Sequence, residues 1–304
     1  MTKHVAVLMG GWSSEREVSL SSGSNCAQAL EAQGYRVTRI DVRRNLSELV
    51  AALTPHPDVV FNALHGRYGE DGTIQGVLDI MGIPYTHSGV LASALAMNKP
   101  QSKCLLAAAG LPCPDGRTID IDTLKTGHPL PPPYVVKPVN EGSSVGVTIV
   151  RPGDNGPDMS GWAFGDEVLV ETYIPGREIT VAVMDDRALG VTELRPHSGF
   201  YDYTAKYTDG KTTHLCPAPI PDDVAQTAMD HAVIAHRALG CRGVSRSDFR
   251  YDDSQSGTRG LFILEVNTQP GMTPLSLVPE QAAHAGIGFG ELVAWMVENA
   301  RCDA

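Results

Sequence analysis

The stretch HVAVLMGGWSSEREVSLSSGSNCAQALEAQGYRVTRIDV, residues 4–42, constrains the fold of this chain more than any other. It opens on a short apolar strand, passes Gly10-Gly11 and Ser13-Ser14, runs through a helical segment and enters a second strand from Arg36 to Val42. That order is a β-α-β unit, and its two strands belong side by side in a parallel sheet. DVVFNAL continues the pattern as a third strand ending at His65-Gly66, and RYGEDGTIQGVLDIMGIPYT reads as loop, helix and a further strand at Pro84 to Thr86. Open parallel sheets gather ligand groups at the carboxyl ends of their strands. Gly10 to Glu15 and His65 to Asp71 both fall there.

The pattern changes near residue 98. LASALAMNKPQSKCLLAAAGLP is an alanine-rich helical run interrupted by Pro100 and closed by Gly110. Residues 115–175 then carry short β-rich pieces, YVVKP, VGVTIV and EVLVETYI, between proline-rich loops, as expected of a small sheet-based lid. From Gly176 come further strands (EITVAVM, ALGVTELR), an irregular aromatic loop at 199–214, an amphipathic helix near 222–239, a strand pair reaching residue 267 and a last helix at about 288–300. The division expected is 1–98, 99–175 and 176–304. A chain of 304 residues is long enough for two or three such units.

Composition excludes several classes. The formal net charge of -11 repels nucleic acid, and no run of basic residues interleaved with aromatics offsets it. The longest apolar runs fall short of the roughly 20 residues that span a bilayer, and the N-terminus has no signal-like pattern, so the expected location is the cytoplasm. The six cysteines are scattered without C-x-x-C pairs, which predicts buried free thiols rather than disulfides or a zinc site. An acidic chain that handles a polyphosphate must concentrate lysines, arginines or metal ions at one place.

GVSRSDFRYDDSQSGTRGLFILEVNTQPG supplies such a place. Alternate residues of a strand share a face, so Arg246 and Asp248 point together, as do Glu265 and Asn267, while Leu264 and Val266 point the other way. A turn centred between Ser256 and Gly257 makes Asp248 and Glu265 direct cross-strand neighbours, a destabilising pair of like charges. A divalent cation removes the conflict, and two carboxylates with one amide suit magnesium; a solvated hairpin with unrelated acids is the alternative. YVVKPVNEGSSVG, residues 134–146, combines Lys137 with a glycine- and serine-rich loop suited to an anion, without the G-x-x-x-x-G-K-[ST] spacing of a P-loop; Gly210-Lys211-Thr212 fails the same test. Tyr201, Tyr203, Lys206 and Tyr207 lie in a segment that is either a closing loop or a contact patch. Ser276-Leu277 stands where a helix start would present N–H groups to a carboxylate.

GGWSSEREVSL, ALHGRYGEDGTIQG, YVVKPVNEGSSVG, FYDYTAKY, SRSDFR and LEVNTQPGMTPLSLVP, taken in order along nearly the whole chain, resemble the D-alanine–D-alanine ligases of the ATP-grasp superfamily. The resemblance implies an α/β fold, α+β in its C-terminal part: a Rossmann-like N-terminal domain, a central lid and a C-terminal catalytic domain. It implies ATP-dependent joining of two D-alanines through a D-alanyl phosphate for peptidoglycan synthesis, two Mg2+ ions (or Mn2+), and a homodimer. By the same resemblance Lys99 and Lys137 contact the ATP phosphates, Glu171 the adenine end and Glu178 the ribose, with Ser144 and Lys206 also on the nucleotide. Asp248, Glu265 and Asn267 hold metal. Glu15 engages the first ammonium group with support from Ser143 and Tyr207, and His65 lies near that amino acid's carboxylate. Arg246 and the Gly271 N–H stabilise the oxyanion; Ser276 and Leu277 receive the second carboxylate. Asn140, Thr172 and Thr204 depart from residues frequent in the family.

Other readings compete with this one. They are a D-alanine–D-lactate ligase or another carboxylate–amine ligase, a nucleotide-binding regulator without turnover, and an NAD-dependent dehydrogenase suggested by the first β-α-β unit. The last lacks the G-x-G-x-x-G spacing.

Overall fold

A computed structural model describes residues 2–197 and 210–303. Three sheets organise it. The first is parallel, in the order β2-β1-β3, with β1 at His4–Gly10, β2 at Arg36–Val42 and β3 at Val59–Asn62. Every β1 residue from Val5 to Gly10 is buried, as a strand covered on both faces requires. The crossover helix α1, Arg16–Ala32, supplies one cover through Cys26, Ala27 and Leu30. The strand expected at Pro84 to Thr86 is a single-residue bridge, with Tyr85 parallel to Val60 and antiparallel to Arg301. A short helix the sequence reading did not identify, α2 at Leu46–Ala52, starts at Asn45, whose side chain accepts from the Ser47 and Glu48 N–H groups. Helix α3 spans Thr73–Met81.

The alanine-rich run is two helices, α4 at Val90–Met97 and α5 at Lys99–Ala108. Asn98 caps α5 by accepting from the Gln101 N–H, and Pro100 sits in its first turn, where no intrahelical N–H is needed. Pro100 therefore begins a helix rather than breaking one. Leu106 and Leu111 carry this segment into the core of the third sheet.

The second sheet is antiparallel, in the order β4-β7-β5-β6: β4 Gly116–Asp120, β5 Tyr134–Pro138, β6 Thr148–Val150 and β7 Glu167–Thr172. Its alternation separates two faces. Tyr134, Val136, Val168 and Val170 form a small core, while Val135, Lys137 and Glu171 face a cleft.

The third sheet, in the order β10-β9-β8-β11-β12, contains β8 Arg177–Met184, β9 Arg187–Pro196, β10 Thr212–Leu215, β11 Val244–Tyr251 and β12 Leu261–Asn267. β10 pairs with β9, so Thr212 to His214 belong to a strand and not to the irregular loop expected there; residues 198–209 of that loop lie outside the described residues. Helix α6, Asp222–Ala238, covers one face with Val224, Ala228, Ala232 and Ala235. Helices α7, Leu277–His284, and α8, Phe289–Glu298, close the chain. Their buried residues share one core with α1, β1 and β3, which fixes the third sheet against the first. The cysteines are all free, but only Cys26 is fully buried and Cys104 is exposed.

Candidate active site

Asp248 and Glu265 stand directly opposite each other in the β11/β12 ladder, and Arg246 stands opposite Asn267. The register derived from the turn centre is therefore the one observed. Strand pairing shifts by one residue between Asp248 and Phe249, and this bulge corrects one expectation. Leu264 does not share the buried face of Val266. Leu261, Ile263 and Val266 enter the core, whereas Leu264 lines the cleft beside Glu265.

Positive charge already surrounds the two carboxylates. The Arg246 guanidinium donates to both Asp248 oxygens, at 2.8 Å from Nε and 2.8 Å from Nη2. Thr180, the register partner of Asp248 on β8, adds its hydroxyl at 2.6 Å. Lys99 Nζ approaches Glu265 at 3.6 Å. Burial pulls the Lys99 pKa below its ordinary value despite Glu265, and the nearby charge of Lys137 adds to that fall. Two carboxylates and the Asn267 amide form an oxygen donor set of the kind Mg2+ prefers. The cations held by both acids show that the local field attracts positive charge. Among the described residues no group of three His, Cys, Asp or Glu side chains converges on a metal position.

Two cavities meet at this point, sharing Lys99, Glu141 and Glu265. The first lies between the strand ends of the parallel sheet and the loop after β12, and is lined by Glu15, His65, Ser143, Arg246, Asn267, Gly271, Ser276 and Leu277. The second lies between the second and third sheets and is lined by Lys137, Ser144, Glu171, Glu178 and Asp248. Lys206 and Tyr207 lie outside the described residues.

In the first cavity the β1–α1 loop is tied to the loop after β3 by the Ser13 hydroxyl, which donates to the His65 carbonyl at 2.7 Å. Ser143 donates to Glu15 from across the cleft. Ser143 and Ser144 have φ of +50° and +59°, left-handed conformations that cost a non-glycine residue about 1 kcal/mol or more. The Glu15 bond and the Lys99 ammonium on the Glu141 carbonyl hold that loop in place. His65 is buried, with Nδ1 3.0 Å from Glu70 and Nε2 3.1 Å from the Ser22 hydroxyl. Burial opposes charge on the imidazole, but the hydrogen bond and charge of Glu70, with Glu15 behind, outweigh it and raise its pKa. The Ser22 hydroxyl also accepts from the Met272 N–H at 3.2 Å. A Cβ at Gly271 beside it would lie 2.9 Å from Ser276 Oγ, which accepts from the Thr273 N–H at 2.9 Å, so a larger residue there would displace the Ser276 side chain. Ser276 is the N-cap position of α7 and lines the cavity with Leu277, which puts the start of that helix at the cavity wall.

In the second cavity Lys137 is buried on its apolar strand, as the sequence allows only for a paired lysine, and its partner is Glu171 at 2.5 Å. Lys103 donates to the other Glu171 oxygen. Burial alone would raise the Glu171 pKa, but the two lysines lower it. Glu178 meets Arg250 at 3.5 Å. Sequence reasoning missed Lys103, Thr180, Glu70, Ser22 and Arg250. Lys103 carried one usable signal, because it follows Lys99 by four residues and so shares its helix face.

A cleft between two antiparallel sheets, lined by lysines and by facing carboxylates, is the architecture of the ATP-grasp enzymes. The comparisons narrow this class. Residues 46–88 match the family model for the D-ala D-ala ligase N-terminus, and residues 116–298 match that for the D-ala D-ala ligase C-terminus. The chain is 62% identical over 302 residues to a D-alanine--D-alanine ligase of Acidiphilium cryptum, covering 99% of each, and 60% identical over 306 residues to one of Chelativorans, covering 99% of this chain and 98% of the relative. Among solved structures, the ATP-complexed D-alanine--D-alanine ligase of Bacillus anthracis superposes with a TM-score of 0.81 at 34% identity, covering 98% of this chain and 96% of that one. A D-Ala:D-Ser ligase of Enterococcus faecalis gives 0.80 at 29%, covering 98% and 99%. The chain belongs to the D-alanine–D-alanine ligase family.

Proposed function

We propose that this chain joins two D-alanines into D-alanyl-D-alanine at the expense of ATP, releasing ADP and phosphate, and so supplies peptidoglycan synthesis. The observation that carries this reading is the meeting of the two cavities at Lys99 and Glu265, which supports taking the first for the amino acids and the second for the triphosphate. The first D-alanine lies with its ammonium group at Glu15, held by Ser143, and its carboxylate toward the second cavity. One carboxylate oxygen attacks the γ-phosphate, ADP leaves, and an acyl phosphate forms. The amine of the second D-alanine, whose own carboxylate rests at Ser276 and Leu277, then attacks the carbonyl and displaces phosphate.

Negative charge builds at both stages, and the residues are arranged to meet it. Lys99, Lys137 and Ser144, with Lys206 from outside the described residues, take the phosphates; Glu171 and Glu178 take the adenine and ribose ends. Arg246 and the Gly271 N–H face the oxyanion. Asp248, Glu265 and Asn267 would hold Mg2+, or Mn2+ in its place, whose charge offsets that of the triphosphate. No protein nucleophile is needed, so positioning and exclusion of water from the acyl phosphate account for the rate. His65 acts by fixing the wall of the first cavity, since both its ring nitrogens have protein partners.

We place the chain in the cytoplasm, where ATP is available, as a homodimer divided at residues 98 and 175; among the described residues no helix is long and apolar enough to cross a membrane. The testing experiment is phosphate release by purified protein with ATP and Mg2+, across D- and L-amino acids and D-lactate. Release that requires D-alanine, with D-alanine preferred to D-lactate as second substrate, is the expected result. No release on adding D-alanine refutes the assignment.

A further inference from the structure

Lys103 lines neither cavity, yet it sits behind the second one against two charged side chains that do line it, Glu171 and Lys137. Its side chain is 13% exposed, against 8% for Lys137 and 3% for Glu171. Lys103 Nζ donates to Glu171 Oε1 and, at 2.6 Å, to the Pro114 carbonyl; Lys137 Nζ lies 2.5 Å from Glu171 Oε2. The β4 residue beside Glu171 leaves room for its side chain. Gly116 is the register partner of Glu171 on β4, and a Cβ there would come within 2.8 Å of Glu171 Cγ and 2.5 Å of the Val170 carbonyl.

Charge counting gives this arrangement a purpose. Two lysines and one carboxylate leave the cluster at net +1, and the excess lies with Lys137, which alone of the two lysines faces the cleft. Without Lys103 the cluster is neutral, and both Glu171 oxygens would draw on Lys137 in surroundings where a bare ion pair is strongly attractive. We propose that Lys103 is a positioning residue: by holding Glu171 from behind, it leaves the charge of Lys137 available to the phosphates of ATP and so sets triphosphate affinity without touching the nucleotide. This rests on the assignment of the second cavity to ATP.

The test compares binding of a non-hydrolysable ATP analogue with Mg2+, and of adenosine alone, by calorimetry. The proteins are wild type, Lys103→Met, Lys103→Gln, Glu171→Gln and the Lys103→Met/Glu171→Gln double variant, each with its melting temperature and its KM for D-alanine. Wild-type binding of the analogue checks the cavity assignment, and its absence would fault that assignment rather than the role of Lys103. Lys103→Met should weaken analogue binding tenfold or more, adenosine binding less than threefold, and leave the KM for D-alanine within twofold. Lys103→Gln keeps a donor to Glu171 without the charge and should behave as Lys103→Met does, which preserves the test if the methionine variant folds poorly. In the Glu171→Gln background Lys103→Met should cost less than threefold. Analogue affinity unchanged in both Lys103 variants, equal losses for analogue and adenosine, or a full loss persisting in the Glu171→Gln background would each overturn the inference.

Discussion

Replacing Arg246 by methionine keeps most of the side chain's apolar stem and removes the guanidinium, so it separates the observed pairing with Asp248 from the proposed action on the oxyanion. Arg246 makes two charge-assisted hydrogen bonds of 2.8 Å to Asp248, both side chains being 14% exposed. Such bonds contribute about 1.5–3 kcal/mol each when fully protected, and removing one partner of a fully buried pair costs about 3–5 kcal/mol. Here the Thr180 hydroxyl remains on Asp248 and solvent reaches part of the pair, so the net stability loss should be about 2 kcal/mol. For a chain of this length that is a fall of roughly 4 °C in melting temperature. Loss of one preorganised oxyanion donor should lower kcat by about 10²–10³, or roughly 2.7–4 kcal/mol of transition-state stabilisation. KM for ATP should change less than threefold, because the guanidinium acts on charge that appears only during reaction. Mg2+ with an ATP analogue should also raise the melting temperature of the variant more than that of the wild type, since Asp248 then lacks its arginine. Steady-state kinetics and thermal melts with and without ligand read all four quantities. A loss of ATP affinity equal to the loss of rate, or a kcat within tenfold of wild type, would refute the reasoning.

Three further outcomes follow from other parts of the molecule. Gly271→Ala should raise the KM for the second D-alanine about tenfold and lower the melting temperature only slightly, because the new Cβ, 2.9 Å from Ser276 Oγ, displaces the N-cap side chain of α7 while the core stays intact; initial-rate kinetics at saturating ATP measure it. Gln281→Leu should cost about 2–4 kcal/mol in chemical denaturation, since Gln281 accepts from the Ala182 N–H at 2.7 Å and donates to the Thr180 carbonyl at 3.1 Å beside the β8/β9 register shift, and leucine satisfies neither. Buried His236, hydrogen-bonded to Ser245 at 2.7 Å, has its pKa pushed down to about 4 by burial. It is therefore neutral when folded at a pH where the unfolded chain binds a proton. Its contribution to stability is complete above pH 6.5 and is lost as pH falls toward about 4, at up to about 1.4 kcal/mol per pH unit. Denaturation midpoints between pH 7 and 4 should fall along this slope, and His236→Asn should flatten it.

The sequence was most legible where one periodicity decided the answer. The β-α-β opening, the helix at 222–238 and the facing of Asp248 and Glu265 all follow from alternation or spacing, and the structure agrees with each. It misled where a single residue breaks the period. The bulge after Asp248 turns Leu264 into the cleft, and no residue type in LFILEVN marks that change. Pro100 reads as an interruption in the sequence because a proline that opens a helix and one that breaks a helix look alike without the Asn98 cap. Glu70 reaches His65 from five residues away in its own loop, but Lys103, Thr180, Ser22 and Arg250 act through another side chain from a distant part of the chain. Spacing within one segment cannot report such contacts. The site residues proposed in the described segments nevertheless fall on two adjoining cavities, because the ordered motifs end at the same rim of the sheets.

The claim on which the account turns is that Asp248 and Glu265 accept a metal ion between neighbouring strands when ATP arrives. A crystal structure with a non-hydrolysable ATP analogue and Mn2+, with data collected for anomalous scattering, measures this directly. The account predicts an anomalous peak bridging Asp248 and Glu265, with Asn267 on the same ion and Arg246 withdrawn from at least one Asp248 oxygen. Nucleotide bound in the second cavity with no anomalous peak at these carboxylates, and with the Arg246–Asp248 pair intact, would contradict it.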